Sequence, residues 1–215
     1  MTDLEFISNT KKLIDDLKSV CANYGLGNDG NEFKIISQTF LYKYMNDKFS
    51  YEAKKISETL AEATDFQNAY EGLSEEERKF LIARIGNKAP KLQPEHLISY
   101  LFNNSTKANF AETYFDGTLR NISLDNSNLY SIKTASGVKD KMFDDLSQFI
   151  TDSSQRDAFA RALVNKLVNF SFEKMFQEKY DFFATIFEYL IKDYNSDSGG
   201  KYAEYYTPHA VARIM

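Results

Sequence analysis

Apolar residues recur at intervals of three and four along almost all of the first 195 residues, a spacing that restricts the chain to helices packed on helices. Over residues 3–24, Phe6, Ile7, Leu13, Ile14, Leu17, Val20 and Cys21 fall on one side of a predicted helix. From 32 to 48, Ile35, Ile36, Phe40, Leu41, Tyr44 and Met45 repeat the pattern. Only 3 Pro and 9 Gly stand among 215 residues, so the breakers that would cut these runs are few. The fold expected for residues 1–195 is all-α, a compact non-repeating helical domain.

The punctuation fits that reading. Gly25, Gly27 and Gly30 end the first helix, and Ser50 stands where an N-cap could open a third helix running towards Tyr70. Ser74 and Glu77 have the spacing of a capping box before Phe80, Leu81 and Ile85, and Gly86 then stops the helix. Residues 86–95 hold two of the prolines and read as a loop, and Pro94 opens a short helix with Leu97, Ile98, Leu101 and Phe102. A helix is predicted over 108–119, then an Asn-, Ser- and Asp-rich loop over 121–137 with room for a short strand pair. Further helices are predicted over about 138–150, 154–170 and 178–194, the last with Phe182, Phe183, Ile186, Phe187, Leu190 and Tyr194 on one face.

Composition narrows the function classes. A net charge of −5 supplies no general cationic field for a polyanion, which disfavours a stand-alone nucleic-acid binder. No stretch approaches the roughly 20 apolar residues that span a bilayer, and the first residues lack the pattern of a signal peptide. The single Cys21 excludes an internal disulfide, is expected to be buried and inert, and fits a reducing cytoplasm.

Most candidate sites dissolve on inspection. Gly25, Gly27 and Gly30 match G-x-G-x-x-G, but that loop binds phosphate only between a strand and a helix, and here a helix precedes it. His96 and His209 have no second His or Cys at metal-ligand spacing, and His96 is expected on the surface. The acidic pairs Asp15–Asp16 and Asp144–Asp145, and the run Glu75–Glu77, read as solvated faces and helix-start charges. Lys11, Lys12, Lys54, Lys55, Arg156, Arg161 and Lys166 are dispersed as solubilising charge usually is, the alternative being a local basic face that meets a partner.

The end of the chain differs. Residues 195–200 have the make-up of a flexible linker. Beyond it, Thr207 and Pro208 suit the N-cap and first position of a helix carrying Ala210, Val211 and Ile214. A helix start offers free N–H groups and partial positive charge to a carboxylate or phosphate. Glu204, Tyr205, Tyr206, Thr207, Pro208 and His209 therefore form either a ligand-binding helix mouth or a capped helix whose tyrosines fill a domain interface. Because the apolar face has only begun at Met215, the chain is expected to be the front part of a longer protein.

Two blocks carry a family resemblance. One is Asp181 to Lys192 with the linker, Glu204–Pro208 and the run Val211–Met215; the other is Asn31 to Met45. Together they resemble the modification (M) subunit of type I restriction–modification systems, over nearly the whole chain. Ala203 departs from the glycine usual in that family before the Glu. The resemblance implies S-adenosylmethionine as cofactor and methyl transfer to the exocyclic amino group of adenine in a specific DNA site. It implies that Glu204 to His209 help hold the cofactor near its methionine moiety. It also implies a specificity subunit, a restriction subunit and DNA as partners, no membrane and a cytoplasmic location. The family's Asn-Pro-Pro-aromatic motif, which holds a flipped base and its amine, has no counterpart here, since the chain has no Pro-Pro. Residues 1–195 are thus read as an N-terminal helical domain, 196–200 as linker, and 201–215 as the start of a truncated α/β methyltransferase domain that is inactive alone. The rival reading is a non-enzymatic helical adaptor or protein-interaction module.

Overall fold

The computed structural model describes residues 3–27, 30–130, 141–177 and Tyr189. Among these residues the fold is all-α, and no strand occurs. The helices are α1 (Asp3–Asn23), α2 (Gly30–Lys54), α3 (Glu58–Glu62), α4 (Phe66–Glu71), α5 (Glu75–Ile85), α6 (Ile98–Asn103), α7 (Asp116–Asp125), α8 (Ser127–Tyr130) and α9 (Arg156–Val168). A π-helical turn, Phe110–Phe115, leads into α7. Short 3-10 turns fill Gly86–Lys88, Pro94–His96, Leu146–Phe149, Ser153–Gln155 and Glu173–Gln177. The expected helix at 178–194, the linker and residues 201–215 lie outside the described residues, Tyr189 excepted.

α1 ends as its glycine predicts, with Gly25 at φ +80°, a conformation that a side chain would strain. Phe6 on α1 and Phe40 and Tyr44 on α2 all meet the ring of Phe172, at 6.3, 5.7 and 6.3 Å. Phe172, from the segment after α9, thereby bridges α1 and α2.

α2 departs from the amphipathic helix predicted for it. Buried residues take up most of its circumference, from Glu32, Ile35 and Ile36 through Phe40, Tyr42 and Met45 to Phe49, Glu52 and Ala53, while Lys34 is exposed. It is also longer than 32–48, because Ser50 does not cap anything. The Ser50 hydroxyl donates to the Asn46 carbonyl at 3.1 Å, satisfying itself inside the helix. The cap comes later: Ser57 accepts from the Leu60 N–H, and a second cap, Asp65, accepts from Asn68, so the predicted third helix is two short ones. The capping box of Ser74 and Glu77 forms as read, and Gly86 ends α5 at φ +57°.

Two further expectations fail for a common reason, which is where polar side chains send their hydrogen bonds. The loop predicted from 121 is helical as far as Tyr130 among the described residues. Ser123 donates to the Leu119 carbonyl and Asn126 to the Ile122 carbonyl, so these polar groups are absorbed by α7 itself. The helix predicted over 138–150 does not form in its described part, which has only the turn Leu146–Phe149. There the backbone donors are taken by side chains elsewhere: the Phe143 N–H by Ser123 and the Asp144 N–H by Gln38. The predicted helix at 108–119 is a π turn followed by α7, entered through Asn109 at φ +53°. Residues 131–140 lie outside the described residues.

Candidate functional site

Every residue assigned from sequence to the cofactor site, Glu204, Tyr205, Tyr206, Thr207, Pro208 and His209, lies outside the described residues. What the structure defines is the helical body in front of it. Four polar centres hold that body together.

The first is the buried pair of Lys43 and Asp47, one turn apart on α2 at 2.9 Å. Asp47 also accepts from Asn46 at 2.8 Å and, through its other oxygen, from the Phe172 N–H at 2.8 Å. Asn46 in turn accepts from the Ile98 N–H at 2.9 Å. One stretch of α2 thereby fixes the start of α6 and the segment after α9.

The second centre is Asp116, fully buried at the start of α7. Its carboxylate accepts from the Ser147 hydroxyl at 2.5 Å and the Ser147 N–H at 3.1 Å. Burial pushes its pKa up to about 6, while the Ser147 bonds and the Arg120 guanidinium pull the other way. Beside it Arg120 pairs with Asp145 at 2.9 Å.

The third centre corrects an expectation. His96 is only 3% exposed, not a surface residue. Its Nδ1 accepts from the Gln93 N–H at 3.2 Å and its carbonyl accepts from the buried Tyr42 hydroxyl at 2.7 Å. The turn from Gln93 folds the ring inward, and burial lowers its pKa, favouring the neutral imidazole.

The fourth centre is Asn126 just past α7, which accepts from the Lys91 N–H at 2.7 Å and donates to the Lys91 carbonyl at 2.9 Å. With Tyr70 donating to the Leu92 carbonyl at 2.7 Å, it immobilises the proline-bearing loop. Of these four centres only His96 was singled out from sequence, and it was placed on the surface. Each depends on partners 20 or more residues away, for which spacing gives no signal.

The remaining candidates behave as structural groups. The Gly25–Gly30 stretch connects two helices, so the strand that a phosphate loop needs is replaced by α1. Cys21 is fully buried and its thiol is pushed up to about 12, chiefly by burial. Asp144 is bonded to Lys34 at 2.9 Å and Gln38 at 2.7 Å, Asp16 to Lys166 at 3.2 Å. Lys54 pairs with Glu173 at 3.0 Å, and Arg161 grips the Ser105 and Lys107 carbonyls and Asp157. These acidic and basic groups neutralise one another. No three His, Cys, Asp or Glu side chains converge at metal-binding distance among the described residues.

One open groove of about 610 Å³ lies between α1 and the end of α9, with Phe6, Leu13 and Phe170 beside Lys12, Asp16 and Asn169. Lys166, which also lines it, is paired with Asp16. Such a groove can receive a side chain or a short segment, but it brings together no acid–base or nucleophilic pair.

The class that this fold defines is a helical body built around one buried helix, without catalytic geometry among the described residues. Comparison adds a finding at its far end: residues 178–215 match the family model for N-6 DNA Methylase. The match begins directly after the last described turn. No curated protein and no solved structure matches the chain.

Proposed function

We propose that the chain is the N-terminal region of an adenine-specific DNA methyltransferase, the modification subunit of a type I restriction–modification system. The observation that carries this reading is the N-6 DNA Methylase match over residues 178–215. It falls on the stretch, Asp181 to Lys192 and Glu204 to Met215, where the resemblance to that subunit is densest. In this reading residues 1–195 form the assembly domain, 196–200 a hinge, and 201–215 the entry to the catalytic domain.

S-adenosylmethionine would supply the methyl group for the adenine amine. Glu204, Tyr205, Tyr206, Thr207, Pro208 and His209 would contribute to holding it, the free N–H groups of a helix start suiting its carboxylate and an aromatic ring suiting its cationic sulfonium. The base-binding and catalytic residues belong to a continuation of the polypeptide, so residues 1–215 alone transfer no methyl group. Reading of the DNA sequence falls to a separate specificity subunit, in keeping with the net charge of −5, and a restriction subunit completes the cytoplasmic complex. No described helix is long and apolar enough to cross a membrane.

The test uses the polypeptide with its natural continuation, together with its specificity subunit. The expected result is incorporation of a methyl group at adenine N6 in duplex DNA; absence of any methylated adenine with S-adenosylmethionine present overturns the reading. In the same protein, replacing Tyr206 and Thr207 together by Ala is expected to weaken cofactor binding about tenfold, a loss of about 1.4 kcal/mol in calorimetry. Unchanged affinity removes these residues from the site.

A further inference from the structure

We propose that the exposed side of residues 79–91, which runs from α5 through the Gly86–Lys88 turn into the proline-bearing loop, binds the sugar–phosphate backbone of duplex DNA. The choice of duplex DNA among polyanions rests on the methyltransferase reading; the surface itself does not.

The first ground is charge. Between Glu77 and Glu95 the chain carries Arg78, Lys79, Arg84, Lys88 and Lys91 and no acid, although its net charge is −5. A cationic field that the whole chain lacks is therefore concentrated in one short stretch. Most of it is uncommitted. Arg78 is spent on the Glu71 and Leu73 carbonyls, and Lys79 on Glu75 in an exposed pair that solvent screens. Arg84, Lys88 and Lys91 make no ion pair among the described residues, whereas Lys34, Lys43, Lys54, Arg120 and Lys166 each meet a carboxylate.

The second ground is that the fold holds these cations outward. Leu81, Ile85, Ala89 and Pro90 are buried, while Lys79, Phe80, Arg84, Asn87, Lys88 and Lys91 are exposed. Asn126 pins the Lys91 N–H and carbonyl at 2.7 and 2.9 Å, and Tyr70 pins the carbonyl of Leu92 at 2.7 Å. Lys79, Asn87 and Lys91 line one surface groove of about 580 Å³, where Asp125 also stands but pairs with neither lysine. Arg84 rests 5.7 Å from the centre of the Phe80 ring, which steadies the guanidinium and leaves its N–H fork to an outside acceptor. Cations placed in advance lose less freedom on binding.

Phosphate is the acceptor that fits. A protein partner calls for an apolar centre to its interface. Phe80, 62% exposed, is the one exposed large apolar side chain between residues 75 and 95. A phosphate backbone asks only for positive charge and N–H donors and carries no sequence information, in keeping with sequence reading by a separate subunit. From Lys79 to Ile85 α5 rises about 9 Å, against one duplex charge per about 1.7 Å of axis, so several phosphates face the strip.

The test measures binding of a fluorescent random-sequence duplex at a series of salt concentrations, using the polypeptide with its natural continuation and its specificity subunit. Replacing Arg84, Lys88 and Lys91 together by Gln leaves the core untouched. It is expected to flatten the slope of log K against log salt by about 0.9 per cation, about 2.7 in all. Lys12→Gln with Lys107→Gln, which removes exposed charge elsewhere, is expected to leave the slope unchanged. An unchanged slope in the triple variant overturns the proposal, and so does an equal loss per charge in the control pair. Release of the specificity subunit from the triple variant in gel filtration, with the slope unchanged, makes the strip a protein-docking surface instead. Adenine methylation by the parent is scored alongside. Where the parent methylates and the slope does not move, only this surface falls; where the slope moves in a parent that methylates nothing, only the methyltransferase reading does.

Discussion

Asp116 is the residue whose ionisation costs the fold most visibly. A carboxyl raised from 3.8 to about 6 holds its proton more firmly folded than unfolded. Between those two values the native state binds more protons, so this group's contribution falls as pH rises, by about 3 kcal/mol in all. Asp116→Asn keeps an acceptor for the Ser147 N–H without the charge. Its urea midpoint relative to the parent chain is expected to climb between pH 4 and pH 6.5; a constant difference refutes the assignment. His96 has the opposite sign. Its pKa is lowered below 6.5, so the neutral ring stabilises the fold above that pH and the contribution is lost as pH falls. NMR titration should show its imidazole protonating below the usual range. The buried Cys21, with its thiol raised to about 12, should react with a thiol reagent only through unfolding, at a rate that follows urea concentration.

Among the elements, α2 separates what sequence could and could not reveal. Spacing located it, since Ile35, Ile36 and Phe40 mark a helix wherever it sits. Spacing could not reveal that it is enclosed, because Lys43, Asp47 and Glu52 look like a solvated face until their partners are known. Asp47→Ala would strand the Lys43 ammonium and the Phe172 N–H together. We expect a loss of about 3–5 kcal/mol by urea denaturation, as for other broken buried pairs. The capping box on α5 was legible because all its partners lie within three residues, and Ser74→Ala should cost about 1 kcal/mol. The misread helix at 138–150 is the converse: Gln38 and Ser123, remote in sequence, take its backbone donors. The proposal of Glu204–His209 for the cofactor rests on local capping chemistry and family resemblance, and these residues lie outside the described ones.

At the scale of the whole molecule, α2 bonds to three segments that follow it far along the chain. Tyr42 reaches the His96 carbonyl, Asn46 the Ile98 N–H, Gln38 Asp144, Asp47 the Phe172 N–H and Lys54 Glu173. Organised this way, the described residues show no natural seam across α2. Severed anywhere between residues 30 and 54 and co-expressed as two pieces, it should yield aggregates, whereas nicking at the α3–α4 junction should leave a folded nicked protein. Such indivisibility also bears on inheritance: recombination could trade this body only intact, as a cassette, and never by halves.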